Sequence, residues 1–143
     1  MKQKKYSFTF DPHKKGVRKI LGDLEADIMQ VVWSKPQTTV RQVFGILKAK
    51  RKIAYTTVMT VMSRLADKGL LQKTKAGNAF VYRATASEED FTKSTVKKVI
   101  SELLADFTAP AISQFVDSIE DSQPEKMEEL AKLIEEKRKK KNV

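Results

Sequence analysis

The chain has 143 residues, 41% of them apolar, a net charge of +10 and no cysteine. That size and apolar content suit one ordinary folded domain, or a small domain with an appended helical module. Without cysteine there is no disulfide or thiolate metal site, and the single histidine, His13, cannot by itself build a metal or catalytic cluster.

No apolar run approaches the ~20 residues of a membrane span, and the basic start lacks the continuous apolar segment of a secretory signal. A cytoplasmic protein without cofactor or metal is the expectation. The charge is unevenly spread. Residues 1–20 carry seven Lys and Arg against one Asp, and residues 21–34 carry three acids and no base. Residues 35–85 carry eleven cations against one anion, and residues 86–143 carry ten against thirteen. A polyanion is the natural partner of such a middle segment, because neutralised phosphates release counterions.

In chain order, residues 1–20 read as a basic, loosely packed arm with no sustained period. Such an arm suits a minor groove or a phosphate track, and the alternation of Tyr6, Phe8 and Phe10 equally fits one short strand. A first helix is predicted from about Leu24 to Trp33, with Asp23 as N-cap and Leu24, Ile28, Val31 and Val32 as its buried stripe. A second runs from about Val40 to Lys48. There Thr39 and Gln42 match a capping box, and Val40, Val43, Phe44 and Leu47 form the apolar face. The run KAKRK, 48–52, then forms a solvated loop placed just ahead of the third helix, where phosphates would be met.

The third helix, YTTVMTVMSRLADK from Tyr55 to Lys68, is closed by Gly69. Val58, Val61, Met62 and Leu65 fall in one arc, while Thr56, Thr57, Thr60 and Arg64 gather opposite. Met59 lies between the two arcs. Two extended runs follow, Leu70 to Lys75 and Ala79 to Ala84, around Ala76-Gly77-Asn78, and they read as a hairpin. Three helices and then a hairpin is the order of a winged helix-turn-helix, in which the third helix enters the major groove and the wing lies over the backbone. Lys73 and Lys75 share one face of the first wing strand and are assigned to phosphates.

From Ser87 onward the pattern is helical again. Ser87 and Asp90 make a capping-box-like start, and Val96, Val99, Ile100, Leu103, Leu104 and Phe107 recur with helical spacing. Pro110 marks a break before a second stripe of Ile112, Phe115, Val116 and Ile119. Ser122 and Glu125 cap a third helix with Met127, Leu130, Ala131 and Ile134. Three short helices alone bury little, so pairing two copies of residues 86–143 is the simplest way to cover these stripes. Folding back on the winged domain within one chain is the alternative. No catalytic grouping of His, Cys or carboxylates is spaced for chemistry, so an enzyme is not expected.

The segments LGDLEADIMQVVW, TTVRQVFGILK and AYTTVMTVMSRLADKGLLQKTKAGNAFVYRA resemble the penicillinase-repressor and methicillin-resistance-repressor family. This is the BlaI/MecI type, which also takes in copper-responsive repressors of the CopY type. The resemblance covers residues 20–85 by motif and continues to about residue 138 by helix pattern. It implies a mainly α fold with a small β-hairpin: a winged helix-turn-helix at 21–85 followed by a C-terminal helical dimerisation module at 86–143. It further implies a homodimeric repressor of double-stranded DNA bound at a palindromic operator.

Carried over to this chain, Thr56, Thr57 and Thr60 fall at base-reading positions. Arg41, Arg51, Lys52, Arg64, Lys73 and Lys75 are assigned to the DNA backbone. A threonine offers its hydroxyl to a base edge or a phosphate and its methyl to thymine. The competing reading is a winged-helix module for non-specific nucleic acid or protein binding. Copper-responsive members carry a cysteine pair motif that this chain lacks. Penicillinase-type members are cut at an Asn-Phe bond, a pair absent from KSTVKKVI at 93–100. A protease or sensor protein that relieves repression is therefore an expected partner only by resemblance. The arm before Ile20 is longer than is usual in the family.

Overall fold

The computed structural model describes residues 10–142, and the chain divides into two compact units, Met1–Lys97 and Lys98–Val143. Helices α1 (Asp23–Trp33), α2 (Val40–Leu47) and α3 (Tyr55–Asp67) are followed by strands β1 (Leu71–Ala76) and β2 (Ala79–Ala84). Then come α4 (Glu88–Ser122), a 3-10 turn at Pro124–Lys126, and α5 (Met127–Lys141). Another 3-10 turn, Gly16–Lys19, precedes α1.

The three predicted helices of the first unit all form. Gly22, not Asp23, is the N-cap of α1, and Glu25 reaches back to accept from the Gly22 N–H at 3.1 Å. The capping box of α2 is complete: the Gln42 N–H donates to the Thr39 hydroxyl, and the Thr39 N–H donates to the Gln42 side chain, both at 3.1 Å. At the end of α3, Gly69 adopts φ 87°. Its N–H bonds the Ala66 carbonyl at 3.0 Å and the Leu70 N–H bonds the Leu65 carbonyl at 2.9 Å. This Schellman arrangement needs a left-handed residue at Gly69 and turns the chain directly into β1.

Strands β1 and β2 pair antiparallel from Leu71 opposite Ala84 to Ala76 opposite Ala79. The loop is therefore Gly77-Asn78, one residue shorter than predicted, with Gly77 at φ 64° as a type II′ turn requires. Thr38 forms a lone bridge to Tyr82, with N–H to carbonyl bonds of 2.9 and 2.8 Å in the two directions. The segment between α1 and α2 thereby ties the hairpin to the helices.

The core gathers Ile28, Met29 and Val32 of α1, Val43 and Leu47 of α2, and Val58, Met62 and Leu65 of α3. Leu70, Leu71 and Tyr82 close it from the hairpin side. The first unit runs on to Lys97. Phe91 and Thr95 of α4 are buried with the first unit. The Phe91 ring lies 5.9 Å from that of Trp33, whose indole N–H donates to the Ala86 carbonyl at 3.0 Å.

The expected loose arm is corrected over residues 11–20; Tyr6 and Phe8 lie outside the described residues, and Phe10 is exposed. Val17 and Ile20 pack against the core. Lys14 pairs with Asp23 at 2.6 Å, and Arg18 pairs with both Asp23 and Asp27. Acids on an otherwise basic polymer attract its cations, and here α1 carries those acids.

The hydrogen bond from Lys14 holds the Asp23 carboxyl below its ordinary value of 3.8, against a smaller opposing effect of desolvation, with Arg18 adding to the depression. A depressed carboxyl contributes stability above that value and loses it as pH falls through the lowered one. Asp27 also accepts from Arg51 at 2.6 Å, so Asp27→Ala should free Arg51 and leave Arg18 held by Asp23 alone. For a half-exposed network we expect a loss of about 1 kcal/mol, shrinking in high salt, measured as a lowered urea midpoint.

The span of α4 is two helical segments that meet at a kink at Phe107, with φ −135° and ψ 49°, three residues before Pro110. The expected break at Pro110 thus falls three residues earlier, because proline removes the bond to the preceding turn and crowds it. Ser122 does not cap the last helix; its hydroxyl donates back to the Ser118 carbonyl at 2.6 Å. Ser87 does cap α4, accepting from the Asp90 N–H at 3.1 Å. The apolar stripes stay in solvent: Leu103 is 47% exposed, Phe107 59% and Phe115 52%. Within α4 an 18-residue window reaches a mean hydropathy of 1.2 with none of it buried. By length and composition alone that is enough for a membrane span, although the helix is kinked at Phe107.

Candidate nucleic-acid interface

Helix α3 is sharply two-faced. Val58, Met62 and Leu65 are fully buried, while Thr56, Thr57, Met59, Thr60 and Arg64 are exposed on the other side. Helical spacing predicts this division, and packing of α3 against α1 and α2 enforces it. The Thr60 hydroxyl donates to the Thr56 carbonyl at 2.9 Å. With its hydrogen spent on the backbone, the Thr60 oxygen presents lone pairs outward, so it is set as an acceptor. In a major groove an acceptor suits the amino groups of adenine or cytosine.

The predicted backbone cations separate into three groups. Arg41 on α2, Lys52 in the loop before α3, and Arg64 on α3 are exposed and form no ion pair among the described residues. Arg51 donates to Asp27 of α1 at 2.6 Å and stays partly exposed. Lys68, one residue before Gly69, is likewise held by Glu25 at 2.9 Å. On the wing, Lys73 and Lys75 share a face as expected, but that face also carries Phe80 and Tyr82. The Lys73 ammonium lies 4.2 Å from the centre of the Phe80 ring, so it is stacked on an aromatic as well as charged.

Sequence reasoning missed two aromatic features. Tyr55, at the start of α3, meets Phe44 of α2 edge to face at 5.6 Å. This contact joins α2 to the start of α3, and no short spacing reveals it. Phe80 is 47% exposed at the wing. Its position two residues before buried Tyr82 was the available signal, since alternate residues of a strand share a face. Among the described residues no cluster of three or more potential metal ligands occurs. The residues assigned to dimerisation lie on α4 and α5. Ile100, Leu103, Leu104, Phe107, Ile112, Phe115 and Ile134 are exposed, and Val99, Val116 and Leu130 are half-buried; Val96, on the first unit's part of α4, is exposed too.

A helical trio whose third member presents a polar arc, closed by a paired hairpin, defines a winged helix-turn-helix protein. The family model described as penicillinase repressor matches residues 21–136. The chain belongs to the penicillinase-repressor family. It is 38% identical over 99 residues to the transcriptional regulator BlaI of Mycobacterium tuberculosis, a match covering 68% of this chain and 63% of that protein. It is 22% identical over 110 residues to the penicillinase repressor of Staphylococcus aureus, covering 77% of this chain and 86% of the relative. The solution structure of the DNA-binding domain of the repressor BlaI matches 54% of this chain and 93% of that domain. There the sequence identity is 28% and the TM-score 0.45.

Proposed function

We propose that the protein is a transcriptional repressor that binds operator DNA as a homodimer, with α3 in the major groove and the wing on the backbone. The observation that carries this reading is the exposed arc of Thr56, Thr57, Thr60 and Arg64 on a helix whose other face is fully buried. Kinship with repressors of this family supports it, as does the cation excess of residues 35–85. In this reading Thr56, Thr57 and Thr60 face bases, while Arg41, Lys52, Arg64, Lys73 and Lys75 face phosphates. The first unit reads DNA and the second holds two copies together, in the cytoplasm and without enzymatic activity. A protease or sensor protein relieves repression.

The test is a gel shift with duplex selected from genomic DNA against random duplex, across salt. A repressor prefers its operator by roughly a thousandfold or more, and a ratio near unity would leave only the non-specific module. Thr57→Ala and Thr60→Ala should each lower operator affinity about fivefold, the worth of one hydrogen bond of about 1 kcal/mol, with sedimentation unchanged. Wild-type affinity in both variants would show that another surface reads the bases.

A further inference from the structure

We infer that Met59 is a base-reading residue that recognises the C5 methyl group of a thymine in each operator half-site. This rests on α3 entering the major groove, as proposed above, and adds to it the base that the helix selects. Met59 is 45% exposed and takes no part in the core of the first unit, which α3 joins through Val58, Met62 and Leu65. A turn of about 3.6 residues places Met59 about 60° around the helix from Thr56 and about 100° from Thr60. Both threonines are exposed, so Met59 borders the polar arc and shares its outward surface.

Single exposed apolar side chains are ordinary on a protein surface, and exposure alone assigns Met59 nothing. Its place beside Thr60 does. The Thr60 oxygen, whose hydrogen is spent on the Thr56 carbonyl at 2.9 Å, accepts from an adenine or a cytosine amino group and does not separate the two. An apolar neighbour separates them. Among the base edges of the major groove, the C5 methyl of thymine is the apolar feature. It accompanies the adenine amino group in an A·T pair and is missing beside the cytosine amino group in a C·G pair. The unbranched, polarisable thioether of methionine adapts to such a small apolar partner. Removing one methyl from water against it is worth about fourfold in affinity.

The test uses the full-length protein and the duplex it selects from genomic DNA. Each thymine of that duplex, together with its symmetry mate, is replaced in turn by deoxyuridine, which pairs identically but lacks the methyl. At one position in each half-site the replacement should weaken binding by the native protein at least about fourfold. Met59→Ala should bind the thymine and uracil forms of that position with equal affinity, whereas Thr57→Ala should keep the full penalty there. Circular dichroism of Met59→Ala should match that of the native protein, since the side chain lies outside the core. Absence of a uracil penalty at every position would overturn the inference. So would a penalty that Met59→Ala leaves undiminished, because another side chain would then hold the methyl. A native protein that binds selected and random duplex alike would instead refute the groove reading itself.

Discussion

Leu103→Asp is expected to turn the proposed dimer into monomers while leaving each chain folded. Leu103 is 47% exposed in the single chain, within a stripe that includes Ile100, Leu104 and Phe107. A carboxylate there remains hydrated in the monomer and adds little to its folding energetics. In a dimer the same carboxylate would be desolvated without a partner, at a cost of about 3 kcal/mol or more. The dimer dissociation constant should therefore rise by at least about a hundredfold. Sedimentation velocity over a range of concentrations reads this directly, and circular dichroism confirms that helix is retained. Operator affinity should fall in parallel, because two linked half-site contacts become independent ones. An unchanged sedimentation coefficient would mean that Leu103 lies outside the interface.

The second large effect is expected at Tyr82. It is among the largest fully buried side chains, and its backbone is bonded in both directions to Thr38. Tyr82→Ala would empty a site at the junction of hairpin, α1 and α2, and such truncations of a buried aromatic cost about 3–5 kcal/mol. Against the 5–15 kcal/mol that holds an ordinary domain together, that is a large share. The urea midpoint should drop accordingly, and the wing should lose its fixed position. Tyr82→Phe keeps the ring and should cost under about 1.5 kcal/mol. If Tyr82→Ala moved stability by less than 1 kcal/mol, the hairpin would not be anchored through this residue.

Much of the fold was legible because short-range patterns specify it. The stripe of Val58, Met62 and Leu65 predicted the buried face of α3, and Thr39 with Gln42 predicted the start of α2. Gly69 predicted the stop that launches the wing. Each of these depends on residues within one or two turns of each other. The ends of α1 and of the hairpin loop shifted by a residue because competing caps and turns differ there by small energies.

What the residues by themselves determined about this protein is a winged helix-turn-helix with an outward threonine arc on α3 and unpaired apolar stripes beyond it. Periodicity and turn chemistry suffice for that. Only the tertiary structure decided which of the cations are held in ion pairs. Asp27 captures Arg51 across 24 positions and Glu25 captures Lys68 across 43. Only it showed that residues 11–20 are clamped to α1, and that Phe91 of α4 completes the first core. Ion pairing and core closure depend on distances between segments far apart in the chain. No local pattern encodes those distances, because the packing of α1 against the loop before α3 and the end of α3 creates them.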